Sequence, residues 1–255
     1  MPFPDEQFFS LGAFKHSFLT PSSLRVFIPT ALTFVGLFFG LLSLWYASLG
    51  FFTAAAACVF WAMLFDFSDG YVARFLGVSS VMGAHLDTLA DFVSYGVAPA
   101  FLMYTLVLHK SPFWGTLACL IFVFCSATRL ARFSADVRRK SSGRFSGVPA
   151  PAGALLALWP LCTMFAFAPN TVPESGFLCT ASWFSFVTSG ILMISTFRTP
   201  SLKNVSFNAL GPLLWAFLFC AIVFLLVCPW TFLVIAGGGY LVLLPYPVRH
   251  LVFSF

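Results

Sequence analysis

Charge is what this chain has least of. Only 8% of its 255 residues are Asp, Glu, Lys or Arg, while 60% are hydrophobic and the mean hydropathy is +0.96. About a quarter of the residues in a soluble domain are charged, so this composition excludes one and indicates a polytopic membrane protein. The net charge of +5 comes with no nucleic-acid motif, and membrane topology accounts for the basic residues better than a nucleic-acid partner does. The seven cysteines (58, 119, 125, 162, 179, 220 and 228) show no CxxC or Cys/His spacing and lie mostly in apolar runs, as small core or lipid-facing residues do. His16, His109 and His250 fall in loops or at ends without metal-ligand spacing, and His85 reads as an interfacial neighbour of the acidic run described below. The first 25 residues lack the basic-then-apolar order of a cleavable signal. They read as a short cytosolic or interfacial segment, with Phe8, Phe9, Leu11, Phe14 and Phe18 at the headgroup layer.

What the chain does have is apolar runs of membrane-crossing length, for which about 20 residues suffice. They predict helices near 26–49, 51–76, 84–108, 113–135, 149–168, 177–196, 208–228 and 230–247. The last contains Gly237, Gly238 and Gly239 and meets Pro245 and Pro247, so it reads as a shorter or re-entrant piece. An open sheet cannot satisfy its backbone in lipid. The expected fold is therefore all-α: a polytopic transmembrane bundle of six to eight helices forming one domain over 1–255. With the N-terminus in the cytosol, Lys15, Arg25, Arg74, Arg129, Arg132, Arg138, Arg139, Lys140, Arg144, Arg198, Lys203 and Arg249 all fall on the inner side, and Lys110 alone on the outer. That asymmetry is the positive-inside pattern.

Acidic residues are scarcer still, eight in all, and four of them lie in the run from Asp66 to Asp91, DFSDGYVARFLGVSSVMGAHLDTLAD. On helices, Asp66 and Asp69 are spaced i,i+3 and Asp87 and Asp91 i,i+4, so each pair projects from one face and the two faces can meet. Four carboxylates in a low-dielectric setting need counter-charge, and an oxygen-rich site suits hard cations such as Mg²⁺ or Mn²⁺, two of them by this reading. Gly70, Ala73 and Gly77 form a stripe of small residues beside the acids, and Arg74 puts a permanent cation at the same end, where it can meet phosphate oxygens. The apolar part of the second helix, 51–65, is about 22 Å long against a bilayer core of roughly 30 Å. Asp66 is thus expected at the cytosolic boundary, in a site open both to water and to lipid. A cation transporter using the acids as an ion path is the competing class.

The spacing Asp66-x2-Asp69-Gly70-x2-Ala73-Arg74-x8-Gly83-x3-Asp87-x3-Asp91 resembles the full signature of the CDP-alcohol phosphotransferases. Pro29-Thr30-Ala31-Leu32-Thr33 is similar to the Pro-Asn-x-x-Thr found early in that family, with Thr30 where asparagine is usual. Gly36 and Gly40 read as helix-packing positions. Within the family, two stretches resemble the phosphatidylserine synthase branch, whose typical runs are Asp-x-Val-Ser-Phe-Gly-Val-Ala-Pro-Ala and Arg-Leu-Ala-Arg-Phe-Asn with a Gly-Leu-Pro-x-Pro-Ala end. They are Asp91-Phe92-Val93-Ser94-Tyr95-Gly96-Val97-Ala98-Pro99-Ala100 and Arg129-Leu130-Ala131-Arg132-Phe133-Ser134, the latter followed by Gly147-Val148-Pro149-Ala150-Pro151-Ala152. Tyr95 replaces the branch's phenylalanine and Ser134 its asparagine. The resemblance covers roughly residues 26–155.

It implies two divalent cations, Mg²⁺ or Mn²⁺, on Asp66, Asp69, Asp87 and Asp91, with Asp91 also the base that takes the acceptor's proton. Gly70, Ala73, Arg74 and Gly83 would bind the substrate. The implied partners are CDP-diacylglycerol, L-serine and membrane lipids, with no nucleic acid, and the family suggests a homodimer in the cytoplasmic membrane with its site facing the cytosol. Arg129 and Arg132, spaced i,i+3 among apolar neighbours, are expected to face the acids, and either could hold a serine carboxylate. Glycerol 3-phosphate or an inositol compound is the alternative acceptor. The branch that uses glycerol phosphate typically has lysine after the last aspartate, where this chain has Phe92.

Overall fold

The computed structural model describes residues 21–78, 80–138, 148–167, 176–195 and 229–243. Its elements in chain order are α1 (Pro21–Ser48), α2 (Phe52–Leu76), α3 (Val81–Asp91), a π-helical segment (Phe92–Val97), α4 (Ala98–Leu106), a 3₁₀ turn (Leu108–Lys110), α5 (Pro112–Arg138), α6 (Ala150–Ala157), α7 (Trp159–Phe167), α8 (Gly176–Ile194) and α9 (Pro229–Leu243). No strand occurs among the described residues. Five helical runs are long and apolar enough to cross a membrane, six if the bent pair α6 and α7 is one span. The chain is an integral membrane protein of all-helical fold. The helix expected near 208–228 lies outside the described residues, as do the N-terminal segment and Arg139, Lys140, Arg144, Arg198, Lys203 and Arg249.

Two expected helices are interrupted, each at a proline. The span expected over 84–108 begins at Val81 and widens between Phe92 and Val97, where the Ala98 N–H bonds the Val93 carbonyl in an i→i−5 pattern. Pro99 supplies the local reason: it has no N–H to offer the Tyr95 carbonyl four residues earlier. The span expected over 149–168 bends by 52° between α6 and α7. Pro160 there leaves the Leu156 carbonyl without its helical donor, and Ser185 Oγ of α8 donates to that carbonyl at 2.5 Å.

α1 lies against α2 along most of its length and also touches α3, the π segment and α4; α5 pairs with α8. Tyr95, Leu102, Met103, Phe122 and Phe186 are among the largest fully buried side chains, with Phe122 and Phe186 joining α5 to α8 at a ring separation of 4.9 Å. α9 docks through Trp159 Nε1, which donates to the Val234 carbonyl at 3.1 Å. Cys58, Cys119, Cys125 and Cys162 are free thiols buried in this packing. Phe34, Phe38, Trp45, Phe67, Phe75 and Phe124 stay uncovered, the surface expected of helices that face lipid.

Candidate active site

The site forms where the C-terminal half of α2 and the length of α3 meet α1. α2 ends at Gly77, whose φ of 64° is the left-handed stop that glycine adopts without strain; its N–H bonds the Ala73 and Arg74 carbonyls. Gly77 therefore terminates the helix and does not extend the small-residue groove. α3 opens on Ser80, whose hydroxyl accepts from the Gly83 N–H at 3.4 Å, a side-chain N-cap. The short connection between these ends brings the two pairs of aspartates together.

One carboxylate oxygen each from Asp66, Asp69 and Asp87 lies within 4.8 Å of the others. Asp91 completes the lining of the same small pocket and lies within charge-interaction range of the other three. Like charges this close repel by roughly 3–4 kcal/mol per pair at an effective dielectric of about 20. The space between them is about 10 Å³, room for one bare ion, and Asp69 and Asp87 also border the larger cavity beside it, so the acids face space for a second. An all-oxygen donor set of this charge and size fits a hard divalent cation.

Two of the acids are steadied by neutral hydroxyls. Thr33 Oγ1 on α1 donates to Asp69 Oδ2 at 2.6 Å, and Tyr95 OH on the π segment donates to Asp66 Oδ2 at 3.0 Å. Asp69 is 6% exposed and Tyr95 1%. Spacing signals neither contact: Thr33 ends the Pro29–Thr33 motif and Tyr95 stands where phenylalanine is typical, although a hydroxyl on an otherwise apolar helix face is itself a signal that a partner is nearby.

Beside the acids, a cavity of about 200 Å³ is lined by Thr30, Gly70, Ala73 and Gly83 together with Asp69 and Asp87. Arg74 is exposed, and its guanidinium folds back along α2, Nη1 lying 3.5 Å from where a side chain on Gly70 would begin. The structure thus brings Gly70, Ala73, Gly83 and Arg74 to one side of the acids. It separates the other two arginines. Arg129 on α5 lies within charge-interaction range of Asp91. Arg132 is exposed and its Nη1 donates to the Ile194 carbonyl at 3.1 Å, at the end of α8, so the expectation that both face the acids is corrected. They share one face of α5, but the Arg132 side chain turns toward the C-terminal carbonyls of α8, where a cation is favoured, and away from the acids.

A sequence profile of the CDP-alcohol phosphatidyltransferases matches residues 26–188, from α1 into α8. The chain belongs to this family. It is an enzyme of CDP-alcohol chemistry, and the match reaches beyond the stretch in which the resemblance was legible. The family's use of divalent cations agrees with the donor set just described.

Curated relatives named CDP-diacylglycerol–serine O-phosphatidyltransferase include one from Helicobacter pylori strain J99, 32% identical over 84% of this chain and 87% of that protein. One from Mycobacterium tuberculosis H37Rv is 32% identical over 87% and 78%, and one from Bacillus subtilis 168 is 32% identical over 70% and 92%. Among solved structures, the apo form of Mycobacterium tuberculosis phosphatidylinositol phosphate synthase aligns with a TM-score of 0.46 at 23% identity, over 72% of this chain and 88% of that one. That likeness is too loose to bear on the acceptor.

Proposed function

We propose that this enzyme transfers the phosphatidyl group of CDP-diacylglycerol to the hydroxyl of L-serine, giving phosphatidylserine and CMP for phospholipid synthesis. The observation that carries this reading is the likeness to serine phosphatidyltransferases over more than four-fifths of the chain, including α3 and the π segment, which hold Asp87, Asp91 and Tyr95. Phe92 supports it. A lysine there would suit a phosphorylated acceptor, and phenylalanine offers that dianion nothing.

In this mechanism Asp66, Asp69, Asp87 and Asp91 would hold two divalent cations, Mg²⁺ or Mn²⁺, which when bound supply charge neutralisation and polarisation at the pyrophosphate. The cytidine diphosphate end lies in the cavity walled by Gly70, Ala73 and Gly83, whose missing or small side chains leave it room. The Arg74 guanidinium, folded over Gly70, takes pyrophosphate oxygens as a planar fork. Asp91 accepts the proton of the serine hydroxyl. The serine oxygen forms a new bond to the lipid-side phosphorus, the bond from that phosphorus to the bridging oxygen breaks, and CMP carries the electron pair away. Arg129, within charge-interaction range of Asp91, would hold the serine carboxylate, whereas the bond from Arg132 to Ile194 favours a structural role. The whole chain forms one domain in the cytoplasmic membrane, as a homodimer, with the site facing the cytosol, where serine and CMP are available.

The deciding experiment measures CMP release by the purified protein from CDP-diacylglycerol in mixed micelles, against serine, glycerol 3-phosphate and inositol phosphates. Serine alone should support saturable release, and a chelator should stop it until Mg²⁺ or Mn²⁺ is returned. Release with glycerol 3-phosphate and none with serine would end the serine reading.

A further inference from the structure

The hydroxyl of Tyr95 takes no part in the transfer chemistry, yet it belongs to a fully buried side chain of the site. Tyr95 is 1% exposed, and its OH reaches across from the π segment to Asp66 Oδ2 on α2 at 3.0 Å. It lines the carboxylate pocket one turn beyond Asp91.

The segment that carries it is held from both flanks by glycine contacts. Ser94 lies against Gly40 of α1 so closely that a side chain at position 40 would meet Ser94 Oγ, and would stand 3.2 Å from Ser94 Cα. On the other flank, a side chain on Gly96 would stand 3.1 Å from Ser126 Oγ of α5. Between these approaches, residues 94–96 have little freedom, and the i→i−5 turn sets them at an angle that a continued α-helix would not give. The phenol is therefore fixed before any ligand arrives.

A tyrosine at this place differs in kind from an arginine or lysine. It donates a hydrogen bond to the carboxylate and so fixes the plane of Asp66, but it cancels none of the negative charge that a cation needs. Thr33 treats Asp69 the same way from the opposite side.

We propose that Tyr95 is a positioning residue for this site: its hydroxyl holds the Asp66 carboxylate in the orientation that binds a divalent cation and so sets the enzyme's affinity for that cation. The inference rests on the cation reading of the four aspartates and on no assumption about the acceptor. It concerns a hydroxyl that the phenylalanine of the branch run would not supply.

The test compares wild type, Tyr95→Phe and Asp66→Asn as full-length purified proteins, titrated with Mn²⁺ without substrates and read by the electron paramagnetic resonance signal of free Mn²⁺. Phenylalanine fills the same space, so Tyr95→Phe should fold, with a metal-free thermal midpoint lowered by no more than the loss of one hydrogen bond to a carboxylate; the Mn²⁺ titration and the rescue below separate positioning from a structural role. Its Mn²⁺ dissociation constant should rise about tenfold, the lower end of what loss of an outer-shell partner costs. CMP release should follow, needing correspondingly more Mn²⁺ but approaching the wild-type rate at saturation. 4-Aminophenylalanine at position 95, which restores a neutral N–H donor on the same ring, should return the affinity toward wild type. Wild-type Mn²⁺ affinity in Tyr95→Phe, beside a weakened Asp66→Asn, would overturn the proposal and leave the cation site standing. Undiminished affinity in both variants would overturn both.

Discussion

Gly36 and Gly40 lie one turn apart on α1, and the same substitution should have opposite consequences at the two. A methyl group on Gly36 would meet the Ala62 carbonyl oxygen at 3.6 Å, Phe65 Cβ at 3.8 Å and Asp66 N at 4.0 Å, all ordinary contacts. A methyl on Gly40 would run into Ser94 Oγ and stand 3.2 Å from both Ser94 Cα and Ser94 Cβ. Rotating the serine relieves only the first of these, so the π segment itself must move. Both replacements gain about 1 kcal/mol of helix propensity. That gain cancels in the comparison, and what remains is the overpacking at position 40, roughly 1–3 kcal/mol. Gly36→Ala should therefore be as stable as wild type or slightly more so, and Gly40→Ala less stable than Gly36→Ala by that difference. The buried thiols of Cys58, Cys119, Cys125 and Cys162 provide the assay, because a thiol-reactive dye reports their exposure as the protein is heated in detergent. Ser94→Ala in the Gly40→Ala background removes the Oγ contact and should recover part of the loss. Equal midpoints for the two single variants would refute the close approach of α1 to the π segment, and with it the idea that this contact fixes Tyr95.

Three further outcomes are expected. Asp91→Asn should nearly abolish CMP release while CDP-lipid binding remains measurable by equilibrium titration, because the other three acids still hold the nucleotide end and at least one cation. Arg129→Lys should raise the apparent KM for serine well above its effect on CDP-diacylglycerol, since lysine keeps the charge but loses the planar fork; Arg132→Lys should leave both KM values near wild type and show itself in thermal stability, if at all. A single cysteine at position 142 in a cysteine-free background should react with membrane-impermeant reagents only after cells are opened, and labelling from outside intact cells would reverse the proposed orientation.

The aspartates were legible because their meaning lies in spacing. Asp66 and Asp69, then Asp87 and Asp91, share helical faces in any α-helix, and only the short connection at Gly77 was needed to bring the faces together. Hydropathy likewise located α1, α2, α5 and α8. The π segment and the break before Trp159 were not legible, because a composition window records how apolar a stretch is and not which carbonyl each N–H reaches. Pro99 and Pro160 were visible, but a proline in a membrane helix has several outcomes, and the one adopted depends on neighbours such as Ser185 that the sequence does not place. Arg129 and Arg132 were grouped by their i,i+3 spacing. Their separation depends on where α8 ends, a tertiary fact.

The arrangement of charge follows from these placements. The carboxylates lie near the ends of α2 and α3, and the hydroxyls that hold them, Thr33 and Tyr95, come from neighbouring elements and carry no charge. Had a lysine or arginine filled either role, the pocket would be partly neutralised from within and its attraction for a divalent cation reduced. The permanent cations stand apart from those hydroxyls: Arg74 folds over Gly70, which walls the larger cavity, and Arg129 lies within charge-interaction range of Asp91. In the proposed reaction these two positions are the nucleotide side and the acceptor side, with the acids between them where the phosphorus changes partners. Phe67 and Phe75 are uncovered on the α2 segment that carries Asp69 and Arg74, which leaves an apolar face beside the acids. In the proposed reaction that face is where the two acyl chains of the substrate would lie while its water-soluble end reaches the acids.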